Sequence, residues 1–523
     1  MKKTITYFSF FIIITLAYGS IKYFFETRFY NTYSEKNINE FSLNPPSEKY
    51  NYPYKNTKQF YIDEFRGFVR GFFFLNPNRF LKNKVDYQFI ISENDKKFFD
   101  SILKIASKRG KMTDDLKSYR RVQLINKDTL QDVKIKYHGS SVFPHYFNKP
   151  SLRLRLSNEL AEYNLISGIE MNYRNIFFNT IGLKNNLIAE GPGEIKSIRF
   201  NGFTFDTYKY KRLDSLVISD RFKKNLIFEF KNFSNFYQHS DDQDILFYNN
   251  EKNVIINNIK EEEKFNRFKN LLTSGVNYNE NEIDYYGKFL SLIYLFDNVH
   301  MITGDNDTWF ICEEGNFPLF RNEINIGTYN PVRKNDFDAF IFKEYETIYK
   351  REILSFHKYK RLLIDPNIRN KRNSNFNKLL NEKTQILSLF DSIYFSNENK
   401  HKMFNKDFFL MKKTYEATRE NLQNNFITIK NYLEIDKIYF AKIKDTLFFS
   451  SKGYVPFQIF YDKKLIGEFE SRAFQLESNQ INSRFIENKI QFSGDTEKLI
   501  FINKITSDTI KNLSESKIKF NFD

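Results

Sequence analysis

HMITGDNDTWFICEEGNFPLFRNE runs from His300 to Glu323. Two carboxylates, Asp305 and Asp307, follow a glycine and flank Asn306. An aromatic strand comes next, Trp309 to Ile311, and a short turn at Gly315-Asn316 returns the chain to a polar cluster, Arg321-Asn322-Glu323. Two readings are open. The stretch is a polar β-hairpin with solvated loop acids, or a loop acid, a hairpin and a metal-ligand acid whose hairpin returns the last toward the first.

Working outward, Ile283 to Asn298 is a strongly apolar helix that leads into the carboxylates. Upstream, 86–156 reads β-α-β-β-β. Asp86 to Ile91 alternates as a strand, and Asn94 to Ser107 carries a helical apolar face. Arg121–Leu124 and Val133–Tyr137 pair around the polar turn Lys127-Asp128. SLRLRL (151–156) alternates strictly, with leucines on one side and Arg153 and Arg155 on the other. Met171 to Leu183 is a helix, and 195–211 is a hairpin turning at Asn201-Gly202, a pair suited to the positive φ of a two-residue turn. Downstream, 375–433 has helical periods, and 434–523 changes to short strands. KRNSNFNKLLNEK (371–383) is the nearest approach to a basic patch and reads as a solvated loop leading into a helix.

With 523 residues, 60 Phe and 33 Tyr, the chain has material for two or three packed domains. The net charge of +16 comes from scattered Lys and Arg rather than a stripe, so nucleic acid is not the expected partner. A single cysteine, Cys312, excludes an intramolecular disulfide and a multi-cysteine zinc site. In its aromatic strand it reads as a small buried hydrophobe.

Lys2-Lys3 followed by the apolar run 5–18, with small residues at Ala17 and Gly19, is the pattern of an export signal. Ile21, Tyr23, Phe24 and Phe25 extend the run toward spanning length, so an uncleaved anchor is the alternative. Both place the rest of the chain outside the cytoplasm, secreted or held at the inner or plasma membrane. The expected division is 1–25 signal or anchor, 26–85 stalk, 86–435 main domain, and 436–523 a β-sandwich-like domain.

Four segments in order resemble the CotH kinase family, the spore-coat-type atypical protein kinases. VKIKYHGSSVFPHYFNKPSLRLRL (133–156) is similar to that family's strand, Gly-Ser-Ser turn, lysine and basic alternating strand. MNYRNIFFNTIGL (171–183) is similar to its Arg-Asn helix ending in Gly-Leu. IKSIRFNGFTFDTYKYKRLD (195–214) is similar to its Asn-Gly hairpin, and TGDNDTWF through PLFRNE to its catalytic segment. The resemblance covers about 86–435. It implies an α+β, two-lobed atypical protein-kinase-like core followed by an all-β C-terminal domain.

It also implies ATP and Mg2+ as cofactors and an envelope or secreted protein as substrate. Asp305 is then the catalytic base and Asp307 a metal ligand. Lys149, Ser140, Ser141 and Arg153 hold the phosphates. Glu170 either pairs with Lys149 or is a helix N-terminal acid, Arg174 is a phosphate contact or a structural residue, and His300 orders the loop or is a satisfied helix-end histidine. Three departures stand out. His138 replaces the usual Arg, Arg212 stands where the family has Glu, and Arg321-Asn322-Glu323 stands where it ends in Trp/Phe-Asp. Either Asn322 replaces the metal-binding Asp, as a weaker neutral ligand, or Glu323 serves in its place. The alternative to a working kinase is therefore a catalytically impaired pseudokinase that binds or assembles envelope proteins or polysaccharide.

Overall fold

The computed structural model describes residues 85–109, 112–139, 150–157, 162–166, 172–211, 226–229, 278–296, 308–320, 365–404, 408–434, 437–452, 455–469, 489–511 and 513–515, with Leu362 and short helical pieces within 11–17 and 263–271. The chain mixes helices and strands throughout.

The first body is a closed barrel. Its elements are β1 (Tyr87–Ile90), α1 (Glu93–Arg109), β2 (Arg120–Asn126), β3 (Thr129–Tyr137), β4 (Leu152–Leu156), β5 (Glu162–Ile166), α2 (Asn172–Lys184), β6 (Glu194–Phe200) and β7 (Phe203–Lys211). The strand order is β1-β2-β3-β4-β5-β7-β6, and parallel pairing of β1 with β6 closes it. The β2–β3 hairpin turns at Lys127 (φ 55°), and β6–β7 turns at Asn201 (φ 49°) and Gly202 (φ 83°), the left-handed pair of a two-residue hairpin.

Period-two alternation sorts the strands' side chains. Leu124, Ile135, Leu152, Leu154, Leu165 and Ile198 are fully buried in one cluster with Phe99 and Ile102 of α1. Phe99 meets the Tyr137 and Phe200 rings edge-on, at centroid distances of 5.2 and 5.4 Å. Ser92 caps α1 by accepting from the Asp95 N–H at 3.1 Å. β5, not anticipated from the sequence, is the strand that carries the sheet from β4 to β7.

The second body is built on helices. It comprises β8 (Leu226–Glu229), α3 (Glu280–Phe296), β9 (Thr308–Cys312), β10 (Gly315–Pro318), α4 (Pro366–Asn381), α5 (Lys383–Phe404) and α6 (Phe408–Leu433). The three strands form an antiparallel sheet in the order β10-β9-β8. α2 joins the two bodies. Phe177 and Phe178 pack on Phe296 of α3 at 5.7 and 4.3 Å, and Asn179 Nδ2 donates to the Tyr208 hydroxyl of β7 at 2.8 Å.

Residues 371–383 correct the sequence reading. They are not a loop: α4 starts at Pro366, where Asp365 Oδ1 accepts from the N–H groups of Asn367 and Ile368. Arg372, Asn373, Phe376 and Leu379 are buried. The Arg372 guanidinium lies 5.0 Å from the Tyr294 ring and 5.4 Å from those of Phe376 and Tyr432, and Nη2 donates to the Tyr432 hydroxyl at 2.7 Å. A polar composition therefore hides a helix that locks α3 to α6.

After α6 come β11 (Lys437–Ile443), β12 (Thr446–Lys452), β13 (Phe457–Tyr461), β14 (Lys464–Phe469), β15 (Lys489–Gln491), β16 (Leu499–Asn503) and β17 (Leu513–Glu515). They form two sheets, β15-β12-β11-β17 and β14-β13-β16. Their inner residues, among them Ile438, Phe457, Ile459 and Phe501, belong to the same apolar cluster as the helices. Asn503 Nδ2 caps the Leu433 carbonyl at 2.8 Å, and Asn377 Nδ2 donates to the Ile505 carbonyl at 3.0 Å.

Near the N-terminus, residues 11–14 and 16–17 are helical, with Phe11, Ile13 and Leu16 exposed. Among the described residues no helix is long and apolar enough to cross a membrane. The expected stalk, apart from Val85, lies outside the described residues.

Candidate functional site

Asp305, Asp307, Asn322 and Glu323 lie outside the described residues, as do Ser140, Ser141, Lys149, Glu170, Arg212 and His300. What the structure describes is their frame. α3 ends at Phe296, β9 opens at Thr308, and the β9–β10 hairpin runs on to Phe320. Ala189 and Phe320 form a parallel bridge, and Phe320 N–H donates to the Ile188 carbonyl at 2.7 Å, which ties the end of the hairpin to the segment after α2.

The hairpin is clamped to α3 by one buried acid. Glu282 is wholly buried. Its Oε1 accepts from Asn316 N–H at 2.9 Å and from Asn316 Nδ2 at 2.8 Å. Its Oε2 accepts from Asn279 N–H at 3.1 Å and faces Arg267 at 3.4 Å. Asn279 Oδ1 in turn accepts from Glu282 N–H at 2.9 Å, so the two residues form a reciprocal capping box at the start of α3. Tyr286 donates to the Asn316 carbonyl and Tyr285 to the Pro318 carbonyl, both at 2.5 Å. Trp309 is fully buried beneath, its ring 5.3 Å from that of Phe268. The hairpin that follows the acids in sequence is thus fixed on α3. Sequence reading did not single out Glu282, although Asn279-x-x-Glu282 ahead of an apolar run was the available signal.

Cys312 is buried, its Sγ 3.2 Å from the Gly315 carbonyl. Burial, then a hydrogen bond with Glu314, pushes its thiol up to about 12, which fits a packing residue and not a nucleophile.

Of Lys149, Ser140, Ser141 and Arg153, the structure describes Arg153. It leaves β4 on the outer face of the barrel. Nη2 lies 3.1 Å from His138 Nδ1, Nε donates to Asn164 Oδ1 at 3.1 Å, and Nη1 is 3.7 Å from Glu162 Oε2. Asn164 Nδ2 donates onward to the Tyr210 hydroxyl at 2.9 Å. Glu162 also accepts from Tyr119 Oη at 2.7 Å and from Arg155 Nη2.

Burial works to raise the Glu162 carboxyl, but the Tyr119 and Arg155 hydrogen bonds and the two arginine charges outweigh it and bring it down to about 2. Burial, then the charge on Arg153, holds the Lys136 ammonium below its ordinary value. The network flanks His138-Gly139, where the described chain leaves β3. It unites His138 and Arg153 with Tyr119, Glu162, Asn164 and Tyr210, which sequence reading did not name.

Arg174 is buried on α2 and donates from Nη1 to Thr418 Oγ1 of α6 at 3.5 Å, a link inside the helical core. Among the described residues no group of three or more His, Cys, Asp or Glu side chains is placed to hold a metal ion. In comparisons of the sequence with protein-family models and with curated proteins, none matched.

Proposed function

We propose that the chain is a two-lobed, CotH-kinase-like protein of the cell envelope that transfers phosphate from ATP to an envelope or secreted protein. One observation carries the reading. A helix, α3, runs into a segment bearing two carboxylates, and the hairpin that follows is held on that same helix by Glu282. With the β-rich barrel and its α1 upstream, this is the order in which a kinase-like fold presents a catalytic loop and then a metal-ligand position.

In this reading Asp305 accepts the proton of the substrate hydroxyl as its oxygen attacks the γ-phosphorus and ADP leaves. Lys149, the Ser140-Ser141 turn and Arg153 neutralise the phosphates. Asp307 with Asn322 or Glu323 would hold Mg2+, which when bound offsets the phosphate charge. Export rests on residues 1–25.

A non-catalytic binding or assembly protein is the second reading, and one observation favours it. The Arg153 guanidinium is already engaged by His138, Asn164 and Glu162, so a phosphate there competes with protein partners. Calorimetric titration of the purified full chain with Mg-ATP separates the two. Saturable binding that Lys149→Ala abolishes supports the kinase-like reading, and no heat of binding moves the assignment to the non-catalytic one.

A further inference from the structure

His138 and Arg153 constrain each other's chemistry. A guanidinium carries only N–H donors, so Arg153 Nη2, 3.1 Å from His138 Nδ1, is the donor and the ring nitrogen the acceptor. His138 is therefore neutral here, with its proton on Nε2. Its backbone is held as well. His138 N–H donates to the Ser151 carbonyl at 2.9 Å, one residue before the strand that carries Arg153.

A proton on Nδ1 ends this contact in two ways. It removes the acceptor, and it sets a second positive charge against the guanidinium. Two cations that close are disfavoured unless an anion lies between them. The charged and titratable groups described around the pair keep their charge near neutral pH. Arg153 and Arg155 stay protonated. Lys136, opposite Arg153 on β3, is an ammonium even though burial holds it below its ordinary value. The Glu162 carboxyl is ionised down to about 2, and burial and the bond to Glu162 push the Tyr119 hydroxyl up, which keeps it neutral. Histidine is the side chain whose ordinary pKa, about 6.5, falls in the neutral range.

We infer that His138 gates Arg153 by taking up a proton. Neutral, the ring occupies the guanidinium. Protonated, it gives up that contact and joins Arg153 as a second donor to an oxyanion such as a phosphate group. The inference rests on the reading of Arg153 as a phosphate contact and concerns the regulation of that site. Anion binding and protonation then favour each other by the same factor. In the envelope location proposed above, the acidity of the surroundings sets the affinity of the site.

The test is histidine NMR of the full chain carrying labelled histidine, in sodium sulfate and in sodium chloride of equal ionic strength. Sulfate stays a dianion across the neutral range, whereas phosphate itself titrates there. His138 is identified among the six histidines as the resonance lost in His138→Gln. Sulfate should raise its titration midpoint by about one pH unit, equivalent to a tenfold gain in anion affinity on protonation. The shift should vanish in Arg153→Gln, with the other histidine resonances unchanged as the check that this variant is folded. Calorimetry should show Mg-ATP binding several-fold tighter at about pH 6 than at about pH 8, and His138→Gln should remove the difference. No sulfate-specific shift, a shift that survives Arg153→Gln, or Mg-ATP binding indifferent to pH overturns the inference. A sulfate shift with no Mg-ATP binding at either pH supports a proton-gated oxyanion site and contradicts the phosphoryl-transfer reading instead.

Discussion

Glu282 of α3 and Asn316 of the β9–β10 hairpin are joined twice through one oxygen, since Oε1 accepts both the Asn316 main-chain N–H at 2.9 Å and its side-chain amide at 2.8 Å. Removing the acid leaves those donors, the Asn279 N–H and Arg267 without their acceptor. Glu282→Ala should therefore cost about 3–5 kcal/mol, the usual penalty for breaking a buried charged network. Glu282→Gln, which keeps one acceptor oxygen, should cost less. Urea unfolding followed by tryptophan fluorescence reads this at Trp309, the chain's single tryptophan, buried in the same sheet.

Gly315, the first residue of β10 after the Glu313-Glu314 turn, lets this contact form. Its φ is 149°, and an added Cβ would stand 2.7 Å from Glu282 Cγ and 2.9 Å from Phe317 Cζ. Gly315→Ala should lower stability by about 1–3 kcal/mol through overpacking. The same change at Gly202, where a Cβ meets nothing within 4 Å, should act through its positive φ alone and cost less. Paired thermal melts of the two variants check the order.

Glu162 gives a pH signature. Its carboxyl sits at about 2 in the fold, against an ordinary 4.5. A depressed carboxylate stabilises fully above the ordinary value, and that contribution is lost as pH falls through the folded one. Stability should thus drop between about pH 4.5 and 2 by the order of 1–2 kcal/mol, after allowing for partial solvent screening. Glu162→Gln should flatten that part of the profile. Chemical unfolding at stepped pH makes the comparison, and identical profiles would contradict the network.

Arg372 tests the aromatic enclosure between α3, α4 and α6. Both Arg372→Ala and Arg372→Lys should destabilise, the first by about 3–5 kcal/mol. An ammonium cannot lie flat against three rings and still reach the Tyr432 hydroxyl. A lysine variant as stable as the parent would show that only the charge matters there.

The legible parts of this chain are those with a local cause. SLRLRL shows its two faces by period-two alternation, and Asn201-Gly202 shows its turn because both residues must take positive φ. Closure of the barrel was not legible, since Tyr87 pairs with Ile198 across more than a hundred residues and a parallel pair leaves no local mark. Residues 371–383 misled because burial of Arg372 depends on Tyr294 and Tyr432, which lie far away in sequence. At the site, Asp305 and Asp307 were legible as residue types. The clamp on the hairpin after them was not, because a capping acid that also holds a hairpin is seen only once α3 and β10 are packed together.

Phosphoryl transfer is the most direct test of the proposed function. The full chain is incubated with Mg2+ and γ-labelled ATP, and incorporation into itself or an added envelope protein fraction is counted beside Asp305→Asn. Loss of an essential acid–base carboxylate removes a transition-state interaction, so the variant should fall roughly 10²-fold or more. Transfer by the parent that collapses in Asp305→Asn is the expected result. Equal incorporation by both proteins, or none by the parent under conditions where it binds Mg-ATP, would contradict the kinase assignment at this site.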